Sequence, residues 1–267
     1  MNLKKTVLLG FDVEEFDLPL EYGKKLDFDE QLAISTNGTL NVLALLKQTD
    51  IKATFYCTAN YSINKPDVIK KIVDDGHEIA SHGYYHSDFQ IAHLRQSKEV
   101  LEHISENSVE GYRMARMMKV NEVEIKKAGY LYNSSINPTI LPGRYNNFNK
   151  PRSYFFEEDV LQIPASVTPI IRFPLFWLTF NNVGLPFIKW MAISTINTDG
   201  YLNLYFHPWE FTDLIENKNL GLPKYITKIS GQLFIDKICD FILWAKQKGY
   251  EFERTKDFAN SIYNKKT

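Results

Sequence analysis

The stretch HEIASHGYYHSDF, residues 77–89, holds three of the chain's six histidines. His82 and His86 stand four apart, a spacing from which two imidazoles can reach one metal ion. Two surface histidines near a helix start would show the same spacing. Upstream, LLGFDVEEFD sets two carboxylates, Asp12 and Glu14, two residues apart. Residues two apart on a strand share a face, so Leu8, Gly10, Asp12 and Glu14 point one way. Paired carboxylates on an inward face are costly unless something positive lies between them; a solvated acidic loop is the other reading. Two neutral histidine nitrogens with one carboxylate suit zinc or another first-row divalent ion, with positions left open for water and substrate. His77 falls at a strand start and is read as structural. His93 and His103 fall on a polar helical face and are read as solvated.

The elements that must position these groups alternate along the chain. TVLLGFDV reads as a buried strand, NGTLNVLALLKQTD as a helix, KATFYCTA as a strand, and PDVIKKIVDDG as a short helix opened by Pro66 and closed by Gly76. HEIAS is a strand, SDFQIAHLRQSKEVLEHISE a helix, VEGYRMA a strand and turn, NEVEIKKAG a helix and YLYNSS a strand. DVLQIPAS and YLNLYFHP follow as strands, then the helix GQLFIDKICDFILWAKQKG and the strand YEFER. Such alternation predicts an α/β protein with a parallel sheet, as a barrel or an open doubly wound sheet. No G-x-G-x-x-G follows the first strand, so a dinucleotide fold has no support. Asp12 and Glu14, His82 and His86, Arg113 and His207 each fall just after a strand. In a parallel barrel those positions meet at one rim, where active sites sit.

The 267 residues are 44% hydrophobic and 24% charged, with a net charge of −1 and a pI of about 6.6. That balance gives no basis for a nucleic-acid or anionic-membrane partner. Cys57 and Cys239 are too few for a disulfide framework and are read as buried free thiols. The opening MNLKKTVLLGFDVEEFD lacks the apolar length and the small-residue cleavage site of a signal peptide, so a cytoplasmic location is expected. The apolar segment 170–195 is broken by Arg172, Pro174, Asn181, Asn182, Pro186 and Lys189. It is a poor membrane span, is read as core plus a hydrophobic surface loop, and is the candidate contact for a homo-oligomer.

FDVEEFD, GHEIASHGYYH, GYRMA, YNSS and LYFHPWEF occur in the order found in polysaccharide deacetylases of the NodB-homology family. The chain resembles that family over roughly residues 6–212, and most of all the branch whose first motif reads F-D-V-E-D. The resemblance implies a single domain over residues 1–267, folded as a distorted, seven-stranded (β/α) barrel. It implies Asp12 as catalytic base, Arg113 as its brace and His207 as acid. Glu14, with Glu15 as a fallback, joins His82 and His86 as the metal ligands. The implied cofactor is one divalent ion, zinc, with cobalt or nickel as alternatives. The implied reaction is hydrolytic removal of an N-acetyl or O-acetyl group from an amino sugar in a glycan or glycan precursor, with a backbone N–H near Tyr112–Met114 receiving the oxyanion. Tyr112, Arg116, Trp209 and Tyr85 are the expected substrate contacts, among rim aromatics that include Tyr84, Tyr145 and Trp177.

Three positions depart from the family pattern. Ala115 replaces the usual proline and is followed by Arg116, which could meet an anionic substrate or stay solvated. Asn133 replaces an acid that could support the late histidine, which would leave the His207 pKa less raised. Glu14 is one methylene longer than the usual aspartate. These departures keep two rivals open: hydrolysis of a cyclic amide or ureide on the same fold, and a non-catalytic carbohydrate-binding pseudoenzyme. Retention of Asp12, His82, His86, Arg113 and His207 together argues against the second.

Overall fold

The structure is a computed structural model and describes residues 4–214 and 220–266. Seven strands run parallel: β1 (Thr6–Val13), β2 (Thr54–Cys57), β3 (Glu78–Ser81), β4 (Gly111–Tyr112), β5 (Tyr132–Asn133), β6 (Val160–Gln162) and β7 (Tyr201–Phe206). Their order is β7-β1-β2-β3-β4-β5-β6, with Gly10 of β1 opposite both Tyr205 and Thr54. This is the distorted (β/α) barrel expected. Phe155–Glu157 adds an antiparallel strand outside β6, and Glu251–Glu253 pairs in parallel with the first half of β1.

The two faces of β1 explain its unbroken apolar run. Val7, Leu9, Phe11 and Val13 join the large core that also holds Val42, Leu46, Phe241 and Ile242 from the helices Phe28–Thr49 and Gln232–Gln247. Leu8 packs with Tyr56, Ala80, Tyr132, Leu161 and Ile163. Gly10 has no side chain because a Cβ there would stand 2.8 Å from the Arg113 guanidinium. A period of two thus separates the helix-facing residues from those meeting in the barrel.

β6 and β7 share no ladder; Asn203 bridges the seam between them. Its amide nitrogen lies 3.0 Å from Ser134 Oγ, 3.0 Å from the Ile163 carbonyl and 3.1 Å from that of Pro164. Its backbone N–H donates to Ser166 Oγ at 2.8 Å, and its carbonyl accepts from the Ser166 N–H at 2.9 Å.

Several elements differ from the sequence expectation. The second helix begins at Phe28, well before Asn37. Its polar stretch Ser35–Gly38 lies against the rest of the protein: a Cβ at Gly38 would stand 1.9 Å from the Pro208 carbonyl oxygen. The segment 170–195 is core plus an exposed apolar turn at Ile170–Ile171, as expected, but most of it is helical. After a turn closed by a Val167–Pro174 bridge it forms the helices Trp177–Asn182 and Leu185–Asp199. Ile188, Met191, Ala192 and Ile196 are buried, whereas Ile170, Ile171, Phe187 and Trp190 are exposed. A terminal helix, Thr255–Lys266, is tied to the barrel through Thr54, Thr255 and the buried Glu78, whose carboxylate accepts from Tyr132, Thr54 and the Lys256 N–H. Cys57 is buried as expected; Cys239 is only half-buried. Among the described residues, no helix is long and apolar enough to cross a membrane.

Candidate active site

β1 ends at Val13, and Glu14 follows it inward; Ser35 of the second helix donates to the Glu14 carbonyl at 2.5 Å and fixes that turn. Glu14 Oε2 lies 3.2 Å from His82 Nε2 and 3.0 Å from His86 Nε2, and all three residues are buried. The imidazoles are near-parallel, 17° apart. Although it lies between two nitrogens, Glu14 Oε2 makes no hydrogen bond. One carboxylate oxygen and two imidazole nitrogens, all within 4.8 Å of one another, leave this buried oxygen unsatisfied unless a cation joins them. The donor set therefore fits a divalent ion of the zinc type. Burial opposes ionisation of Glu14, but His86 and His82 outweigh it and hold the carboxyl well below its ordinary range.

Two acids near this cluster have fates the sequence did not reveal. Asp17 accepts from His86 Nδ1 at 2.6 Å, which leaves His86 Nε2 facing Glu14. Such a carboxylate behind a ligating histidine sets its tautomer and ring orientation. Glu15 turns the other way and is taken up by Thr58 Oγ1 at 2.7 Å and by Asn60. The structure thus puts Glu14, not Glu15, with the histidines.

Asp12, one pleat earlier on β1, is buried and accepts from Arg113 Nη1 at 2.6 Å. Arg113 has no exposed surface. Its Nε donates to the Ser134 carbonyl at 3.1 Å, its Nη2 to Ser134 Oγ at 3.0 Å, and its guanidinium lies 3.8 Å from the Tyr56 ring centroid. A guanidinium fixed at this many points presents one N–H to Asp12 in a set direction and leaves its second oxygen for another partner.

His207 follows β7, and its side chain keeps 14% exposure. Its Nδ1 lies 2.7 Å from Glu210 Oε1, which also accepts the His207 backbone N–H at 3.0 Å. Trp209 stacks on the imidazole at 4.9 Å between centroids, and Trp177 meets it edge-on at 5.3 Å. Burial pushes the His207 pKa down, but the Glu210 hydrogen bond and the Glu14 charge push harder, and the net direction is up. Burial raises Glu210 to about 7, against the pull of His207. Glu210 escaped the sequence reading, although its place three residues after His207 is the spacing of a capping box.

Asp12, Glu14, His82, His86 and His207 all border one cavity of about 290 Å³, walled by Trp177, Tyr145, Arg116 and Arg144. Two other expected contacts, Tyr112 and Tyr85, lie elsewhere. Tyr112 is fully buried with its hydroxyl on Met114 Sδ, so it offers no face to a ligand. Two of the expected oxyanion donors are already engaged: the Arg113 N–H on the Ser81 carbonyl and the Met114 N–H on Ser135 Oγ, both at 2.8 Å. Trp209 borders the same cavity, 2% exposed and stacked against His207. Tyr85 is exposed but sits outside the cavity, against Tyr84 and His93. His93 is buried there, and its Nδ1 accepts the Gln90 N–H, whereas His103 is exposed as expected. His77 is structural: its Nδ1 accepts the Ala53 N–H. Asn133 bonds Gln162 and Ser135, so the support expected for His207 comes from Glu210 instead.

A parallel seven-strand barrel with a carboxylate–histidine–histidine cluster at the carboxyl ends of its strands is the NodB-like type of α/β protein. Residues 4–131 match the polysaccharide deacetylase family model, so the similarity to that family extends over nearly half of the chain. Over 71 residues it is 32% identical to the peptidoglycan-N-acetylmuramic acid deacetylase PdaA of Bacillus subtilis; that segment is 26% of this chain and only 27% of PdaA. Among solved structures, a protein of Mycobacterium smegmatis described as a polysaccharide deacetylase superposes with a TM-score of 0.64 at 17% identity, over 99% of this chain and 92% of that one. Puue allantoinase superposes with a TM-score of 0.68 at 18% identity, over 96% and 89%. At these identities the superpositions establish the fold.

Proposed function

We propose that the protein is a metal-dependent hydrolase that removes an N-acetyl, or O-acetyl, group from an amino sugar in a glycan or glycan precursor. The observation that carries this reading is the placement of Asp12, His207 and the Glu14–His82–His86 cluster around one cavity. A divalent ion there, zinc with cobalt or nickel as alternatives, would supply Lewis-acid polarisation of the acyl oxygen and a more acidic water. Asp12 takes the proton of the attacking water on the oxygen that Arg113 leaves free. Arg113 orients Asp12 through its Nη1 hydrogen bond. His207 protonates the departing amine, which is a poor leaving group otherwise. Trp177 and Trp209 shield His207 from water on two sides. A cavity of about 290 Å³ lies at the small end of ligand sites and suits one sugar ring better than a long chain. PdaA, by its name, acts on an N-acetylated sugar of a polymer.

The confined cavity also suits a compact cyclic amide or ureide, and the fold likeness to an allantoinase supports that second reading. One experiment addresses both. Metal content is measured for the wild type, His82→Ala and His86→Ala, and each is assayed for acetate release from acetamido sugars and for ring opening of allantoin. About one equivalent of metal in the wild type, its loss in both variants and release of acetate are expected. Ring opening without acetate release selects the second reading. Absence of metal uptake on offering zinc, cobalt or nickel overturns both.

A further inference from the structure

The cavity wall also carries charged residues that deacetylation does not use. Arg116 and Arg144 reach it from separate loops, Arg144 from the turn between Ile140–Leu141 and Tyr145–Asn146. Glu21 bridges them: Oε1 lies 3.1 Å from Arg116 Nη1, and Oε2 lies 3.0 Å from Arg144 Nη2. Each guanidinium has five N–H donors. Ser87 Oγ takes Arg116 Nη2 at 2.8 Å, with Asp17 Oδ2 at 3.5 Å, while Arg116 Nε is buried without a hydrogen bond. Two guanidiniums thus meet two carboxylates, Glu21 between them and Asp17 beside Arg116, and donors remain unspent.

The backbone supports the same conclusion. Arg116 and Met117 are consecutive non-glycine residues in the left-handed region, at φ 57° and 52°. Side chains disfavour that conformation, and it persists where the surroundings impose it. Here it follows the buried Ala115 and carries Arg116 to the cavity wall. A neutral sugar hydroxyl gains little from two guanidiniums, whereas a carboxylate or phosphate oxygen matches their geometry.

We propose, resting on the acyl-hydrolase reading above, that the substrate is anionic: its sugar carries a carboxylate or phosphate that Arg116 and Arg144 receive while Glu21 holds the two guanidiniums in place. The test separates binding from turnover. Glucose, glucuronic acid and glucose 1-phosphate, which lack an acyl group, are titrated calorimetrically into the metal-loaded wild type, Arg144→Gln and Arg116→Gln. Amine release is followed in parallel from N-acetylglucosamine, N-acetylmuramic acid and N-acetylglucosamine 1-phosphate.

At least tenfold tighter binding of a charged probe than of glucose is expected, with the advantage lost in Arg144→Gln. The two charged probes show whether carboxylate or phosphate is preferred. Arg144 is well exposed, so its variant keeps the test alive if Arg116→Gln fails to fold. Equal binding of charged and neutral probes overturns the proposal. So does a charge preference that survives in Arg144→Gln, because the anion then sits on the metal. Failure to release amine from any acetamido sugar counts against the acyl-hydrolase reading alone.

Discussion

Replacing Glu210 by Gln removes one negative charge behind His207 while keeping an oxygen in place to accept from Nδ1 and from the His207 N–H. Burial raises the fully buried Glu210 to about 7 while His207 is raised above its ordinary value, and the two, 2.7 Å apart, titrate as a pair. His207 must be protonated to act as acid, so activity is present below its pKa and is lost as pH rises through it. A hydrogen bond to a charged partner is worth about 1.5–3 kcal/mol and a neutral one about 1 kcal/mol. The substitution therefore withdraws about 1–2 kcal/mol from the protonated form. At 1.36 kcal/mol per pH unit, the alkaline limb of kcat moves down by about one unit, and turnover above that limb falls roughly tenfold. The assay is the pH profile of kcat for both proteins on one acetamido sugar, with metal content checked in each. An alkaline limb that stays in place with full metal occupancy would refute the assignment of His207 as an acid held by Glu210.

Asp17→Asn is expected to weaken metal affinity by about 10- to 100-fold, read by competition with a chelator, because the amide no longer anchors the His86 Nδ1 proton with a charge. Unchanged affinity would leave Asp17 as a support for Ser87 and Arg116 only. Gly38→Ala drives a methyl group into the Pro208 carbonyl, a backbone group with little freedom to retreat. A loss of about 1–3 kcal/mol in urea unfolding is expected, with kcat reduced because Pro208 follows His207.

The barrel was legible because its strands are short apolar runs bounded by turn residues, and the polar residues just after them fell together as a parallel sheet requires. His82, His86, Glu14, Asp12, Arg113 and His207 border or brace one cavity for that reason. What escaped depends on contacts between distant segments. Asp17 lies 69 residues from His86, and no local pattern links them. The second helix was legible only from Asn37, because the partners that hold its earlier turns, such as the Glu14 carbonyl on Ser35, enter only with the fold. His93 sits on a face that looks polar in sequence, yet Tyr84 and Tyr85 cover it. Tyr112 was given to the substrate because aromatics near a rim suit sugars, and packing has claimed it.

The seam bridged by Asn203 also governs when the chain becomes competent. Ser134 Oγ receives both Asn203 and the Arg113 guanidinium that braces Asp12, so barrel closure and the aim of the base share one hydroxyl. β7 pairs with β1 across nearly two hundred residues, Thr6 opposite Tyr201, and pairings of such long range form slowly. A chain still short of Tyr201 contains His82 and His86, yet it lacks His207 and the Asn203 contact to Ser134. The candidate site is therefore complete only once this late pairing has formed.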